Sequence, residues 1–328
     1  MSLAFIFGTN LLNYDPSGIA AFHATQPAVQ RLYEQVSGWT GLDLDTLLRR
    51  GPQPDLDQVD IETVSRQGSI ALAAAMVGIH DVLAREGVHP ASVGGLSLGA
   101  MVSSCLAGAL PRRELFELLL RMDHVGPRQP DARPEGVAVG FIGTEDDPML
   151  YCEPKREGVY LAGEFGTHPS GAFRTMLLSG YRDALEQLSA EIEVGSVQLQ
   201  EANTVAVHSP LRQPVADSVA RLVAGAAVGE PVLPMCSSLE RRTLTTAAEI
   251  RDMFGRNAVE TIRIDDMSAE MARHGARLGL VLGPSLPKGW IAFPFPVVHV
   301  ESPADLSEVT AAIFEFGVVL PPRKVLTP

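Results

Sequence analysis

A serine set between glycines, Gly95-Leu96-Ser97-Leu98-Gly99, is the part of this 328-residue chain best equipped for covalent chemistry. A hydroxyl becomes a useful nucleophile when it sits on a sharp corner between a strand and a helix, with its oxygen projecting from the sheet. Glycines on either side remove Cβ atoms that would collide with neighbouring backbone. Both arms of such a corner are present: Val93-Gly94-Gly95 reads as a strand end, and Ala100–Ala109 as a buried helix of small and apolar residues. The same five residues also describe an ordinary glycine turn, so the serine needs a base before it means more.

Eight histidines are available. His80 falls in a helical run over 68–86, His89 and His274 in helix-ending turns, and His168 in a loop with glycine and proline, where surface or capping roles suffice. His208 differs. Thr204-Val205-Ala206-Val207 has the pattern of a short buried strand that stops at His208-Ser209-Pro210, where proline turns the chain. The exits of strands in a parallel α/β sheet are where ligands and catalytic groups gather, so His208 can meet Ser97 from far along the chain. A structural role at the strand end is the alternative.

With these two motifs the chain resembles the malonyl-CoA:acyl-carrier-protein transacylases and the acyltransferase domains of polyketide synthases, in particular the discrete acyltransferases. The resemblance covers nearly the whole chain. The family's G-H-S-L-G-E reads GLSLGA here, and its H-S-P-L-x-x-P-A reads VHSPLRQPVA over Val207–Ala216. The opening strand Leu3-Ala4-Phe5-Ile6-Phe7 matches well, and the loop Gly8-Thr9-Asn10 only loosely. Pro234-Met235-Cys236-Ser237-Ser238, Ala248-Glu249-Ile250-Arg251 and Arg256-Asn257 follow in the family's order of strand, helix and sheet return.

The resemblance implies an α/β fold in two parts. A large α/β-hydrolase-like subdomain with a parallel sheet takes residues 1–131 and 205–328, and a small ferredoxin-like subdomain is inserted at 132–204. The residues of the insert are compatible with that. A polar, proline-punctuated connector at 128–134 precedes strands at Val137–Ile142, Val159–Ala162, Arg174–Leu178 and Gly195–Leu199, with an amphipathic helix over Tyr181–Ile192. The active site is expected in the groove between the two parts.

By the same resemblance Ser97 is the nucleophile and His208 the general base, which takes the hydroxyl proton and returns it to the departing thiol. A backbone carbonyl at Asn257 orients the histidine, so the side chain there is expected to matter little. The oxyanion hole is implied to be the backbone N–H groups of Leu98 and Asn10. Gln67, in Ser65-Arg66-Gln67-Gly68, matches a pocket glutamine of the family and is equally readable as a polar residue at a helix start.

Departures from the family pattern speak to substrate. Enzymes that move malonyl groups place an arginine 25 residues after the serine, where its planar fork grips the free carboxylate; here that position is Met122. Arg121 is one residue earlier, about 100° around a helix from the required face. Burying a carboxylate against a thioether with no cation costs several kcal/mol. The elbow histidine has become Leu96, the elbow glutamate Ala100, and Val207 stands where an aromatic often precedes the base. An apolar pocket for an uncharged acyl group follows.

The expected activity is transfer of a non-carboxylated acyl group from a coenzyme A or carrier-protein thioester to the phosphopantetheine thiol of an acyl carrier protein, in polyketide or antibiotic biosynthesis. Three alternatives stay open: an editing thioesterase with the same serine and base, a malonyl transacylase in which Arg121 replaces the missing arginine, and a non-catalytic carrier-binding module. No bound cofactor and no metal site is expected. A net charge of −13 argues against nucleic acid as a partner and means that an acidic carrier protein needs local basic clusters. Arg112-Arg113, Arg128 with Arg133, Lys155-Arg156, Arg212 and Arg241-Arg242 are the candidates, each also readable as solvated surface. Three cysteines without paired spacing, no run of about 18 uninterrupted apolar residues and no secretion signal lead to a cytoplasmic enzyme without membrane contact.

Overall fold

Leu3, Ala4, Phe5, Ile6 and Phe7 are all completely buried. Five consecutive buried apolar residues do not suit a strand with one wet face; they suit the middle of a parallel sheet covered on both sides. The computed structural model describes residues 2–9, 15–49, 60–126, 132–193, 195–201 and 203–320. Their strands are, in chain order, β1 (Ser2–Phe7), β2 (Ser92–Gly95), β3 (Glu135–Ile142), β4 (Val159–Thr167), β5 (Arg174–Tyr181), β6 (Val197–Leu199), β7 (Met235–Cys236), β8 (Thr243–Leu244), β9 (Ile262–Arg263), β10 (Ala276–Leu282) and β11 (Val297–Val300).

The first sheet runs β11-β10-β1-β2-β7-β8. Its pairs are parallel up to β7, and β8 alone is antiparallel to its neighbour. Because Phe7 pairs with Gly95, β1 and β2 end at the same level. The loops that follow them therefore share one edge of the sheet, where ligand crevices form in such folds. Helix Ile61–Arg85 packs against helices Pro27–Thr40, Leu98–Leu106 and Arg112–Arg121. Asp60 caps its start by accepting from the Glu62 and Thr63 N–H groups. The helix is long and apolar enough to cross a membrane, but most of that apolar stretch is buried inside the protein, as in a core helix.

The second sheet has the order β6-β3-β5-β4, antiparallel throughout, with β9 added parallel to β4. Numbered within the segment, that is the 4-1-3-2 order of a ferredoxin-like unit. Helix Arg182–Glu191 fills the second crossover, whereas the first carries only the 3-10 turn Pro148–Leu150. A separate apolar cluster, including Ala138, Ile142, Leu178 and Leu185, lies under this sheet.

Two sequence expectations need correction. Residues 204–207 do not form a strand. Side chains meet their backbone groups instead: Glu135 accepts from the Ala206 N–H at 2.9 Å, and Ser179 Oγ donates to the Val207 carbonyl at 2.7 Å. A buried chain needs its polar groups satisfied but does not need a sheet to do it. Helix Arg112–Arg121 also ends one residue before Met122, which is its extended C-cap at ψ 149°. The connector expected at 128–134 lies partly outside the described residues.

Candidate active site

Ser97 sits between β2 and helix Leu98–Leu106 with φ 53° and ψ −116°, a region that side chains larger than hydrogen rarely occupy. The glycines around it are required by space. A Cβ on Gly95 would lie 2.2 Å from the Gly99 carbonyl carbon, and one on Gly99 would lie 2.1 Å from the Phe7 carbonyl oxygen. The turn is thus pressed against the end of β1, to which Leu96 N–H donates at 2.9 Å. Leu98 is the first helical residue, so its N–H has no acceptor within the helix and lies at the positive end of the dipole.

His208 also has a positive φ, 50°, and is 6 % exposed. Ser209 Oγ donates to the Ala206 carbonyl at 2.7 Å and braces the turn that carries it. Burial pushes the imidazole down to about 4, opposed by the backbone carbonyls of Asn257 and Glu260 beside the ring. Neither carbonyl forms a well-aligned hydrogen bond with Nδ1, which is fully buried. The ring is accordingly neutral at pH 7, the state a general base requires.

Ser97, Leu98, His208 and Asn257 line one cavity of about 160 Å³. Asn257 caps helix Ala247–Arg256. Its side chain does have a defined partner, contrary to the expectation that its identity matters little: Nδ2 donates to the Ser97 carbonyl at 3.1 Å. Met122 and Val207 are on the cavity wall with Met101, Leu119, Val205 and Phe254.

Arg212 is the one arginine or lysine among the described lining residues. Its guanidinium pairs with Glu135 at 2.5 Å and donates to the Val125 carbonyl, and it is only 11 % exposed, so its charge is already neutralised. This is also a correction to its candidacy as an exposed docking residue. Other members of the basic clusters are paired as well: Arg112 with Asp81, Arg113 with Glu117, Arg133 with Asp183, Arg156 with Glu191 and Arg242 with Glu249. Arg128 lies outside the described residues.

The remaining predicted residues are dispersed. Leu96 is fully buried in the core beneath the turn rather than on the cavity wall. Gln67 is inside helix Ile61–Arg85 and half-buried, while Ser65 and Ser69 of that helix line the cavity in its place. Arg121 is 52 % exposed, bonded to the Glu117 carbonyl and paired with Glu114, and is not among the described residues that line the cavity. Asn10 lies outside the described residues; its neighbour Thr9 lines the cavity.

Sequence reasoning missed His124 and Glu62. His124 Nε2 donates to the Leu119 carbonyl at 2.8 Å, which leaves Nδ1 to accept from Ser69 Oγ at 3.4 Å, and burial lowers its pKa. This ring is also neutral. Glu62 accepts from the His124 N–H at 3.0 Å and the Val125 N–H at 2.7 Å, tying the cavity wall to the first turn of the long helix. The only sequence signal was an acid in a first helical turn, which normally serves the dipole. Among the described residues no group of three or more histidines, cysteines or acids is arranged to hold a metal ion, and all three cysteines are buried free thiols.

Comparison with known proteins gives a consistent picture. The family model for the acyl transferase domain matches residues 19–282. The chain is 25 % identical over 271 residues to the malonyl CoA-acyl carrier protein transacylase of Salmonella typhimurium, covering 80 % of this chain and 84 % of that one. It is 23 % identical over 276 residues to the 5-methyl-1-naphthoate synthase of Streptomyces sahachiroi, 83 % of this chain but 14 % of that much longer protein. Among solved structures, the acyl-carrier-protein S-malonyltransferase of Burkholderia pseudomallei superposes with a TM-score of 0.78 at 22 % identity, over 95 % of this chain and all of the other. A malonyl-transacylase solved in complex with its type II polyketide acyl-carrier protein superposes at 0.79 and 20 % identity, with 95 % and 100 % covered. At those identities the structural likeness establishes the fold.

Proposed function

The chain belongs to the acyl transferase domain family, and from that premise we propose that this acyltransferase carries an uncharged acyl group on Ser97 between two phosphopantetheine thiols. The donor is a coenzyme A or carrier-protein thioester and the acceptor is an acyl carrier protein, in cytoplasmic polyketide or antibiotic synthesis. The cut of the chain at 132–204 belongs to this reading. One observation carries it: a serine in a strained strand-to-helix corner and a neutral, buried histidine line the same small cavity.

In the first half-reaction His208 removes the Ser97 hydroxyl proton as the oxygen attacks the thioester carbonyl. With Nδ1 fully buried, Nε2 is the nitrogen left for the serine. The negative charge that develops on the acyl oxygen meets the Leu98 N–H, with Asn10 the second donor of the resemblance. As the carbon–sulfur bond breaks, the imidazolium returns the proton to the departing thiol. The second half runs the sequence backwards: His208 takes the acceptor thiol's proton, the thiolate attacks the serine ester, and Ser97 recovers its proton.

The acyl preference is supported by the cavity's charges. Met122 and Leu119 are apolar, His124 is neutral, and the Arg212 cation is balanced by Glu135. Among the described lining residues a malonyl carboxylate finds no cation that is not already paired, whereas an acetyl or propionyl group needs none. Incubation with matched acetyl-, propionyl- and malonyl-CoA, followed by intact-mass measurement, tests this. Adducts from the uncharged donors on the wild type and none on Ser97→Ala are expected. A preference for malonyl-CoA refutes the acyl assignment, and labelling that survives Ser97→Ala refutes the nucleophile.

A further inference from the structure

A trans peptide unit is planar and points its C=O and N–H in opposite directions, so whatever holds one holds the other. The Ser97 carbonyl and the Leu98 N–H belong to the same peptide. That carbonyl accepts two bonds: one from the Ala100 N–H at 3.0 Å within the helix turn, and one from Asn257 Nδ2 at 3.1 Å, from a residue 160 positions away. The amide orientation is chemically forced, because turning Asn257 over would set Oδ1 against the carbonyl oxygen. Asn257 is itself well anchored, 8 % exposed, with its own N–H donating to the Met253 carbonyl at 2.9 Å at the end of helix Ala247–Arg256.

We propose that Asn257 is a positioning residue for the oxyanion donor: its side-chain bond to the Ser97 carbonyl fixes the plane of the Ser97–Leu98 peptide and so aims the Leu98 N–H at the developing charge. The backbone carbonyl of the same residue stands beside the His208 ring. One residue thereby references the donor and the base to each other across the cavity. The bond also polarises the peptide, which strengthens its N–H as a donor. The strained φ and ψ of Ser97 give this bond something to do, since a peptide outside the favoured regions has a stronger tendency to rotate than one in a relaxed helix. The proposal rests on the reading of Ser97 as nucleophile.

The test is the single-turnover rate of acyl-enzyme formation with acetyl-CoA in wild type, Ser97→Ala, Asn257→Ala and Asn257→Asp, at saturating donor and over pH 5.5 to 8. Asn257→Ala keeps the backbone carbonyl and loses the donor; a rate lowered by about 10- to 100-fold with unchanged half-saturation is expected. Asn257→Asp presents a carboxylate oxygen to the Ser97 carbonyl at high pH and a donating hydroxyl once protonated. The ionised carboxylate cannot donate, so at pH 7 the rate of Asn257→Asp is expected to be lowered at least as far as that of Asn257→Ala, again with unchanged half-saturation. Equal rates for wild type and Asn257→Ala overturn the proposal, as does an Asn257→Asp rate equal to that of the wild type in a protein that melts like the wild type. Should Asn257→Asp fail to fold, the alanine rate and half-saturation decide alone. Labelling of Ser97→Ala separately overturns the nucleophile reading beneath it.

Discussion

Ser97 and His208 are the two ends of one strained arrangement: both hold a positive φ, 53° and 50°, and both line the same cavity. Three non-glycine residues among those described have positive φ, so finding two of them together at this cavity is a property of the site rather than background. Such conformations cost about 1–3 kcal/mol each and persist only where surrounding contacts hold them. Ser97→Gly is therefore expected to stabilise the fold by about 1 kcal/mol, read as a higher urea midpoint, while abolishing acylation. An unchanged or lower midpoint would mean that the corner is relaxed.

The pH dependence follows from burial of His208. Its ring titrates near 4 in the folded protein and near the ordinary 6.5 when unfolded. Acylation is expected to stay level down to about pH 5 and to fall only as the pH approaches 4. Between the two values the unfolded chain binds a proton that the folded chain does not, so stability declines as pH falls through that window. The loss is about 2 kcal/mol between pH 7 and pH 5. Urea denaturation of wild type and His208→Gln at those two pH values checks it, the variant showing a correspondingly smaller drop.

Charge at the cavity wall is expected to control the acyl group. Met122→Arg places a guanidinium where the wall is now a thioether, and the ratio of malonyl to acetyl loading should rise by about 10-fold or more, since one good charge-assisted contact is worth at least 1.4 kcal/mol. Competition between the two donors, with adducts weighed together, measures the ratio directly. No change would place the acyl terminus somewhere other than beside Met122.

Glu62 holds the His124 and Val125 N–H groups. Glu62→Ala leaves both without their acceptor and is expected to cost about 1–3 kcal/mol of stability. The wall that carries Met122 should loosen with it. Acceptance of longer acyl-CoA donors should broaden, while the acetyl rate changes less. Chain-length profiles of the variant and wild type test this.

The corner at Ser97 was legible because its requirements are steric: glycines at 95 and 99 are dictated by contacts of about 2 Å that no other residue survives. The small sheet was legible because turn-forming residues separate its short apolar strands and its helix buries one face, Leu185 and Leu188. The segment before His208 misled for a physical reason. Val205-Ala206-Val207 has a strand's apolar composition, but Glu135 and Ser179, distant in sequence, satisfy its backbone. The Asn257 side chain and the Glu62 clamp depend on partners 160 and 62 positions away, and no local pattern announces such bonds. The missing arginine could be read from spacing, yet the neutral His124 beside Met122 could not, because its tautomer is set by a carbonyl of the preceding helix.

Every step proposed for this site passes through a covalent ester at Ser97. Digesting the protein after brief exposure to acetyl-CoA and mapping the added mass by tandem mass spectrometry decides whether that ester forms. One acetyl group on the peptide containing Ser97 is expected, removed when an acyl carrier protein bearing a free phosphopantetheine thiol is added. Acetyl on any other residue, or an adduct the carrier thiol cannot discharge, would contradict it.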